Sequence, residues 1–288
     1  MIIKEFNQTN ERLSQQIKEL VEVCNRHDGI EGELGLDTSF NFNPEMNTIF
    51  VMYQEEKLVS ALTVFAPSCE EGEISAMTLP EYRGKGCFTE LVKRAEAELK
   101  KYQVPDILFV CEGRSEIGKA AIAKQQGKYD FTEYSLYYNH SLDEKIKAFE
   151  YKTQLHKADF EDIEGIIKIS MAVFDDSYEG AKTLAIGALK AENRQFFLAE
   201  AEGQLVAMGA AANLEDYTSI HGLGVLPEHQ GKGYGREILY SIIKKLLEQK
   251  VQRIGLEVES QNDRAYQLYR NTGFEVESSW EYYRRPVK

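Results

Sequence analysis

The segment from Gln230 to Leu239, QGKGYGREIL, holds three glycines around a lysine and leads into an amphipathic pattern. A glycine loop before a helix leaves several backbone N–H groups unpaired and directed at one place, and the helix dipole reinforces them. Glycine also allows close approach of the backbone to a ligand, because it has no Cβ atom. The pattern therefore predicts an anion site, with Lys232 and Arg236 adding positive charge at its rim.

The same arrangement occurs earlier in the chain. LPEYRGKGCFTELV at Leu79–Val92 matches LPEHQGKGYGREIL at Leu226–Leu239, so that Gly86 corresponds to Gly233 (233 − 86 = 147). A repeat of domain length predicts two domains of one fold in tandem.

Two common phosphate motifs do not fit this loop. Lys232 is not followed by Ser or Thr at the spacing of a nucleoside-triphosphate loop, and the glycines do not lie in a Rossmann βαβ setting. The anion would therefore belong to another class of ligand.

Two signatures in the second half resemble the GNAT N-acetyltransferase superfamily. Its acetyl-CoA loop has Gln or Arg, then Gly three residues later, then Gly or Ala two residues after that. Gln230, Gly233 and Gly235 satisfy this pattern. The segment LEVESQNDRAYQLYRNTGFE at Leu256–Glu275 resembles the second signature. The matching residues there are Asn262, Ala265, Leu268, Tyr269, Gly273 and Phe274.

The resemblance implies a splay between the fourth and fifth strands of each domain, with acetyl-CoA as co-substrate lying in it. The pantetheine arm would pair with the backbone of Leu223, Gly224 and Val225, and Asn262 would cap the next helix and reach the pantetheine or a nearby water. The pyrophosphate would lie on the loop, whose residues are Gln230, Gly231, Lys232, Gly233, Tyr234, Gly235 and Arg236.

Direct acetyl transfer to a primary amine requires removal of the amine proton, because an alkylammonium with a pKa near ~10 has no lone pair. The oxyanion and the departing thiolate also need stabilisation. By the resemblance, Tyr269 is the general acid and Glu257, acting through water, is the leading base. His221 on the preceding strand is the rival base, since its ordinary pKa of about 6.5 suits that role.

The first half departs from these signatures. At an offset of 146, Ala123 corresponds to Tyr269 (269 − 123 = 146), and Cys111 corresponds to Glu257 (257 − 111 = 146). Phe88 stands where the second loop has Gly235. We expect a catalytically degenerate first domain whose loop is a candidate second CoA site, formed by Arg83, Gly84, Lys85 and Gly86.

The hydrophobic periodicity predicts the elements that position these residues. Each half has the order β-α-α-β-β-β-α-β-α-β-β, an α/β domain with a mixed, mostly antiparallel sheet flanked by helices. The predicted domains are residues 1–146 and 147–288, and the charged segment 141–149 is the expected linker.

Composition narrows the function classes. A net charge of −13 argues against a general nucleic-acid binder. No apolar run reaches the roughly 18 residues of a membrane span. The four cysteines have no metal-ligand spacing, so we expect no metal site, and they suit a reducing cytoplasm.

The acceptor is the least determined partner. We expect an amine on a small molecule or peptide, and Asp175, Asp176 and Glu179 in the segment 174–195 would suit a cationic one. A monomer and a homodimer are both compatible with the sequence. Three alternatives stay open: an acyl-CoA-binding regulatory module, acetylation of a cysteinyl amine as in mycothiol synthase, and aminoacyl transfer onto peptidoglycan precursors.

Overall fold

The structure is a computed structural model that describes all 288 residues. The chain forms two compact units. The first comprises residues 1–133 together with 278–288, and the second comprises residues 134–277. The limits 1–146 and 147–288 stay a prediction from the repeat. By compactness, residues 134–146 group with the second unit and residues 278–288 with the first.

The order of helices and strands follows the prediction with two differences: one helix instead of two follows the first strand of the first half, and each half ends in one long strand instead of two. The helices and strands of the first unit are β1 Ile2–Phe6, α1 Glu11–Asp28, β2 Ile49–Gln54, β3 Lys57–Phe65, β4 Glu71–Thr78, α2 Cys87–Lys101, β5 Asp106–Glu112 and α3 Glu116–Lys124. Two strands contribute residues to both units, namely β6 Lys128–Tyr138 and β12 Phe274–Pro286. The second unit also contains α4 Asp143–Lys147, β7 Gln154–Lys157, α5 Ile163–Phe174, α6 Tyr178–Lys190, β8 Arg194–Ala201, β9 Gln204–Asn213, β10 Thr218–Val225, α7 Tyr234–Glu248, β11 Ile254–Glu259 and α8 Asp263–Arg270.

Local sequence explains where α1 begins and ends. The Asn10 side chain accepts a hydrogen bond from the backbone N–H of Leu13, which caps the start of the helix. Gly29 ends it in the left-handed conformation that glycine adopts without strain. Between these caps, the buried face of α1 packs into the core of the first unit. Its buried residues are Leu13, Ile17, Leu20 and Cys24.

The sheet of the first unit follows the order β1-β2-β3-β4-β5, followed by the first-unit parts of β12 and then β6. β4 and β5 pair in parallel from Glu71 opposite Asp106 to Ile74 opposite Phe109, and the recorded pairing ends there. Beyond Ile74 the two strands diverge. The expected splay is therefore present in the first unit.

The last strand is part of the first unit. β12 pairs antiparallel with β5 from Trp280 opposite Glu112 to Pro286 opposite Asp106. The guanidinium of Arg285, which is 5% exposed, donates to the Glu96 carboxylate over 2.7 Å. Pairing and this ion pair together hold residues 278–288 in the first unit.

The sheet of the second unit begins with the parts of β12 and β6 that belong to this unit. It continues in the order β11-β10-β9-β8-β7. β10 and β11 pair in parallel only at Thr218 opposite Ile254 and Ser219 opposite Gly255. The register of β10 on β9 then shifts between His221 and Gly224. The second splay thus opens earlier along its strands than the first.

The core of the second unit lies between this sheet and α7. The apolar face of α7 is buried at Ile238, Leu239, Ile242, Ile243 and Leu246. The segment 141–149, expected to be a linker, instead contains α4, and Ile146 of this helix is fully buried in the same core. Charged residues flank Ile146 in sequence, so the sequence pattern gives no sign that this residue is buried. No helix in the structure combines the length and the apolar character that crossing a membrane requires.

Candidate active site

The glycine loop of the second unit connects β10 to α7. After a short 3-10 turn at Pro227–His229, Gly231 and Gly233 have φ angles of +76° and +92°. Open space surrounds the position of a Cβ atom on each, so it is the backbone conformation that requires glycine. No side chain caps α7, whose N-cap is Gly233. The first N–H groups of this helix therefore remain available to an anion.

Gln230 braces the loop from both ends of its amide. Its Nε2 donates to the carbonyl oxygen of Val225 at the end of β10, over 3.0 Å. Its Oε1 accepts from Nη1 of Arg264 on α8, over 2.7 Å. The side chain thus connects the strand, the loop and the helix after β11. Sequence reasoning missed Arg264, although it lies inside the second signature.

The edge of β10 that faces the splay is open. Pairing with β11 ends at Ser219, while pairing with β9 continues through Gly224 opposite Met208 and Val225 opposite Ala207. An extended ligand can pair with backbone groups on such an unpaired strand edge. A Cβ atom on Gly235 would lie 3.6 Å from Leu268 and 3.7 Å from Val225, in ordinary contact. Gly235 therefore faces the space between the strand end and α8.

Tyr269 lies near the end of α8. Asn262 begins that helix and caps it as predicted, since its Oδ1 accepts from the N–H of Ala265 over 3.1 Å. The Tyr269 ring packs edge-on against Phe274, with 6.1 Å between the ring centroids. Its hydroxyl makes no hydrogen bond within the protein, and burial raises the pKa of Tyr269 to about 12. The hydroxyl is therefore protonated at neutral pH and free to donate.

Both predicted bases are exposed. Counting on from the paired residues Thr218 and Ile254, at an offset of 36, His221 and Glu257 stand at the same level of the two strands (254 − 218 = 257 − 221 = 36). Both side chains are accessible to solvent. Desolvation by neighbouring atoms lowers the pKa of His221 all the same, and the nearby Arg194 charge adds to this. His221 is consequently neutral at pH 7.

The start of the predicted acceptor segment lies against β10. Atoms of Val173 and Phe174, at the end of α5, lie 3.1 to 3.4 Å from the position of a Cβ atom on Gly224. Of the three carboxylates expected to attract a cation, Asp176 accepts a hydrogen bond from the Ser170 hydroxyl over 2.8 Å. The other two, Asp175 and Glu179, are exposed.

The loop of the first unit repeats the backbone of the second. Gly84 and Gly86 have φ angles of +73° and +84°. Arg83 takes the place of Gln230, and its Nε donates to the carbonyl oxygen of Thr78 over 2.9 Å. Its other two nitrogens donate to the two carboxylate oxygens of Asp28, over 2.8 and 2.7 Å. Asp28 was not predicted, because it lies 55 residues away in sequence.

Two cysteines of the first unit, Cys87 and Cys111, are not activated. Burial raises the pKa of Cys87, and burial together with the Glu281 charge raises the pKa of Cys111 to about 12. A thiol that stays protonated is a poor nucleophile. The lack of an activated thiol agrees with the residues at the positions that correspond to the predicted acid and base. These are Ala123 and Cys111, neither of them a tyrosine or a carboxylate.

Comparison with known proteins shows a similarity in sequence within the second half of the chain. Residues 157–274 match the Acetyltransferase (GNAT) family. A ribosomal protein bS18-alanine N-acetyltransferase of Haemophilus influenzae is 32% identical over 84 residues, which are 29% of this chain and 57% of that protein.

Two solved structures share the fold over nearly the whole chain. A GCN5-related N-acetyltransferase from Sphaerobacter thermophilus has a TM-score of 0.81 at 15% identity and covers 99% of this chain and 96% of its own. A tandem GNAT protein from the clavulanic acid biosynthesis pathway has a TM-score of 0.75 at 12% identity, with 100% and 98% covered. The expected tandem fold is confirmed. The chain is thus similar to GNAT acetyltransferases in sequence over residues 157–274 and shares their fold over nearly its whole length.

Proposed function

We propose that this protein transfers an acetyl group from acetyl-CoA to a primary amine of a small molecule or peptide, and that the second unit performs the reaction. One observation carries the proposal. The splay between β10 and β11 leads to an uncapped helix start built on Gly231 and Gly233, and the helix after β11 presents the protonated hydroxyl of Tyr269.

Acetyl-CoA fits this arrangement by its chemistry. The amides of pantetheine pair with the open edge of β10 at Leu223–Val225, as an added strand would. The pyrophosphate takes the free N–H groups at the start of α7, where Lys232 and Arg236 supply positive charge. Small residues suit position 235, because a larger side chain would occupy the space between Val225 and Leu268.

The transfer itself needs a base and an oxyanion site. The amine loses a proton to Glu257 through water or to His221, and its nitrogen then attacks the thioester carbon. A backbone N–H on the open edge of β10 stabilises the resulting oxyanion. The C–S bond then breaks, which gives the acetylated amine and the CoA thiolate.

Tyr269 acts on the departing sulfur. Its pKa of about 12 exceeds that of an ordinary thiol, about 8.5, so complete proton transfer would be uphill by roughly 5 kcal/mol. The hydroxyl therefore stabilises the developing thiolate as a hydrogen-bond donor, and the thiolate takes its proton from solvent afterwards. The first unit lacks such a donor, since Ala123 stands at the corresponding position.

Calorimetric titration of acetyl-CoA into the intact chain tests this function. We expect one site per chain, abolished in Gly233→Asp because the new carboxylate faces the pyrophosphate. A screen of amine acceptors with thiol release as the readout then tests turnover. Binding without release of thiol for any amine class would favour a regulatory module, and absence of binding would refute the proposal.

A further inference from the structure

The first unit contains a cavity of about 440 Å³. It lies among β4, β5, the start of α2 and α3, and one residue of β12 also lines it. Much of its wall is apolar, with large contributions from Ile74, Phe88, Phe109, Ile117, Ile122 and Trp280. The cavity is large enough for a small organic molecule, since such sites usually measure about 300–1,000 Å³.

Small residues on α3 leave this space unfilled. Gly118, Ala120 and Ala121 all line the cavity. At the offset of 146, the corresponding residues on α8 are Arg264, Tyr266 and Gln267 (264 − 118 = 146). At these three positions the helix that borders the splay carries smaller side chains in the first half than in the second.

The charges around the cavity do not suit a pyrophosphate. Its wall carries two basic side chains, Arg83 and Lys124, and three acidic ones, Asp28, Glu33 and Glu112. The Arg83 guanidinium is already bound to both oxygens of the Asp28 carboxylate and to a backbone carbonyl. Without an excess of positive charge, several phosphate charges cannot be compensated there.

Phe88 further distinguishes this site from that of the second unit. It occupies the position of Gly235, where a side chain points between the strand end and the following helix. Its ring meets Phe109 edge-on, with 6.3 Å between the centroids. Where the second loop leaves room for a polar ligand chain, the first presents an aromatic wall.

We infer that the first unit binds a neutral, mainly apolar small molecule in this cavity, at a site separate from that of acetyl-CoA. Aromatic and aliphatic side chains supply the affinity, and the near-balanced wall disfavours anions. The site is independent of the proposed acetyl transfer, since it shares no residue with the second unit.

The test uses N-phenyl-1-naphthylamine, a neutral fluorophore that brightens in apolar surroundings, titrated into the intact chain. We expect saturable binding of one molecule per chain that saturating acetyl-CoA does not displace. Ala121→Trp fills the cavity and should weaken binding by at least about tenfold. Gln267→Trp, at the corresponding position of the second unit, is the matched control and should leave binding unchanged.

Ala120→Trp, on an exposed part of the same wall, provides a second filling variant in case Ala121→Trp does not fold. Absence of probe binding, or binding that neither filling variant weakens, would overturn the inference. So would two acetyl-CoA sites per chain with one surviving in Gly233→Asp. If the chain binds the probe in the expected way but binds no acetyl-CoA, the proposed function fails and this inference stands.

Discussion

Counted on from the pair Thr218 and Ile254, His221 and Glu257 stand at the same level, three residues along the two parallel strands that border the splay. Both side chains are exposed. Because each stands three residues beyond a paired position, the alternation of side chains along a strand directs both to the same face of the sheet. A candidate base thus stands on each side of the splay. Experiment must decide which of the two residues accepts the amine proton.

For the base, we expect Glu257→Gln to lower kcat/KM about 10²-fold, the range of a lost general base. His221→Gln should have a smaller effect, because the resemblance favours the carboxylate. The pH profile of kcat/KM checks this assignment: the acidic limb should persist in His221→Gln and vanish in Glu257→Gln. The reverse pattern would assign the base to His221.

Tyr269→Phe removes only the hydroxyl and keeps the edge-on packing against Phe274. We expect kcat to fall about 10²-fold, as for a lost donor to a developing anion, with little change in KM for acetyl-CoA. Steady-state kinetics measures both constants. Full turnover in this variant would exclude Tyr269 from the reaction.

The two glycine loops provide a matched pair of variants. Gly233→Ala and Gly86→Ala each place a side chain at a positive φ, +92° and +84°, at a cost to folding of about 1 kcal/mol. Only Gly233→Ala should weaken acetyl-CoA binding in calorimetry, because only the second loop takes the pyrophosphate. Equal loss of affinity in both variants would contradict this assignment.

Glu73 makes stability depend on pH. Burial, with smaller contributions from the Glu71 and Glu133 charges, raises the pKa of Glu73 to about 7 from an ordinary 4.5. The folded state therefore holds a proton that the unfolded state releases, and stability falls as pH rises from about 4.5 to 7.

Glu73→Gln tests the sign of that dependence. Urea unfolding at pH 5 and pH 8 should show a loss of about 2 kcal/mol in the parent and a smaller loss in the variant. Stability of the parent that increases over this interval would show that other groups dominate.

Local features of the fold were predictable because they depend on residue type. Gly231 and Gly233 have the left-handed backbone that their identity permits, and Asn262 caps the helix that it precedes. Partners distant in sequence were not predictable. The Arg83 and Asp28 side chains meet only once α1 packs on the sheet, and Arg264 reaches Gln230 across 34 residues.

The repeat also concealed the location of the last strand. A constant offset between the halves suggests that each half completes its own sheet, yet Trp280–Pro286 pair with β5 in the first unit. Pairing of strands depends on tertiary packing and leaves no signal in the period of the sequence. The contacts of Val173 and Phe174 with Gly224 were hidden for the same reason.

The position of residues 278–288 in the first unit has a consequence for the order of events during synthesis. A ribosome makes residues 134–277 before this segment, so the first unit must wait for the last strand while the second is already complete in sequence. Arg285 then finds Glu96 across 189 residues, a contact of high sequence separation that slows folding. During that interval β5 exposes an unpaired edge, a stage at which nascent chains are vulnerable to association with one another.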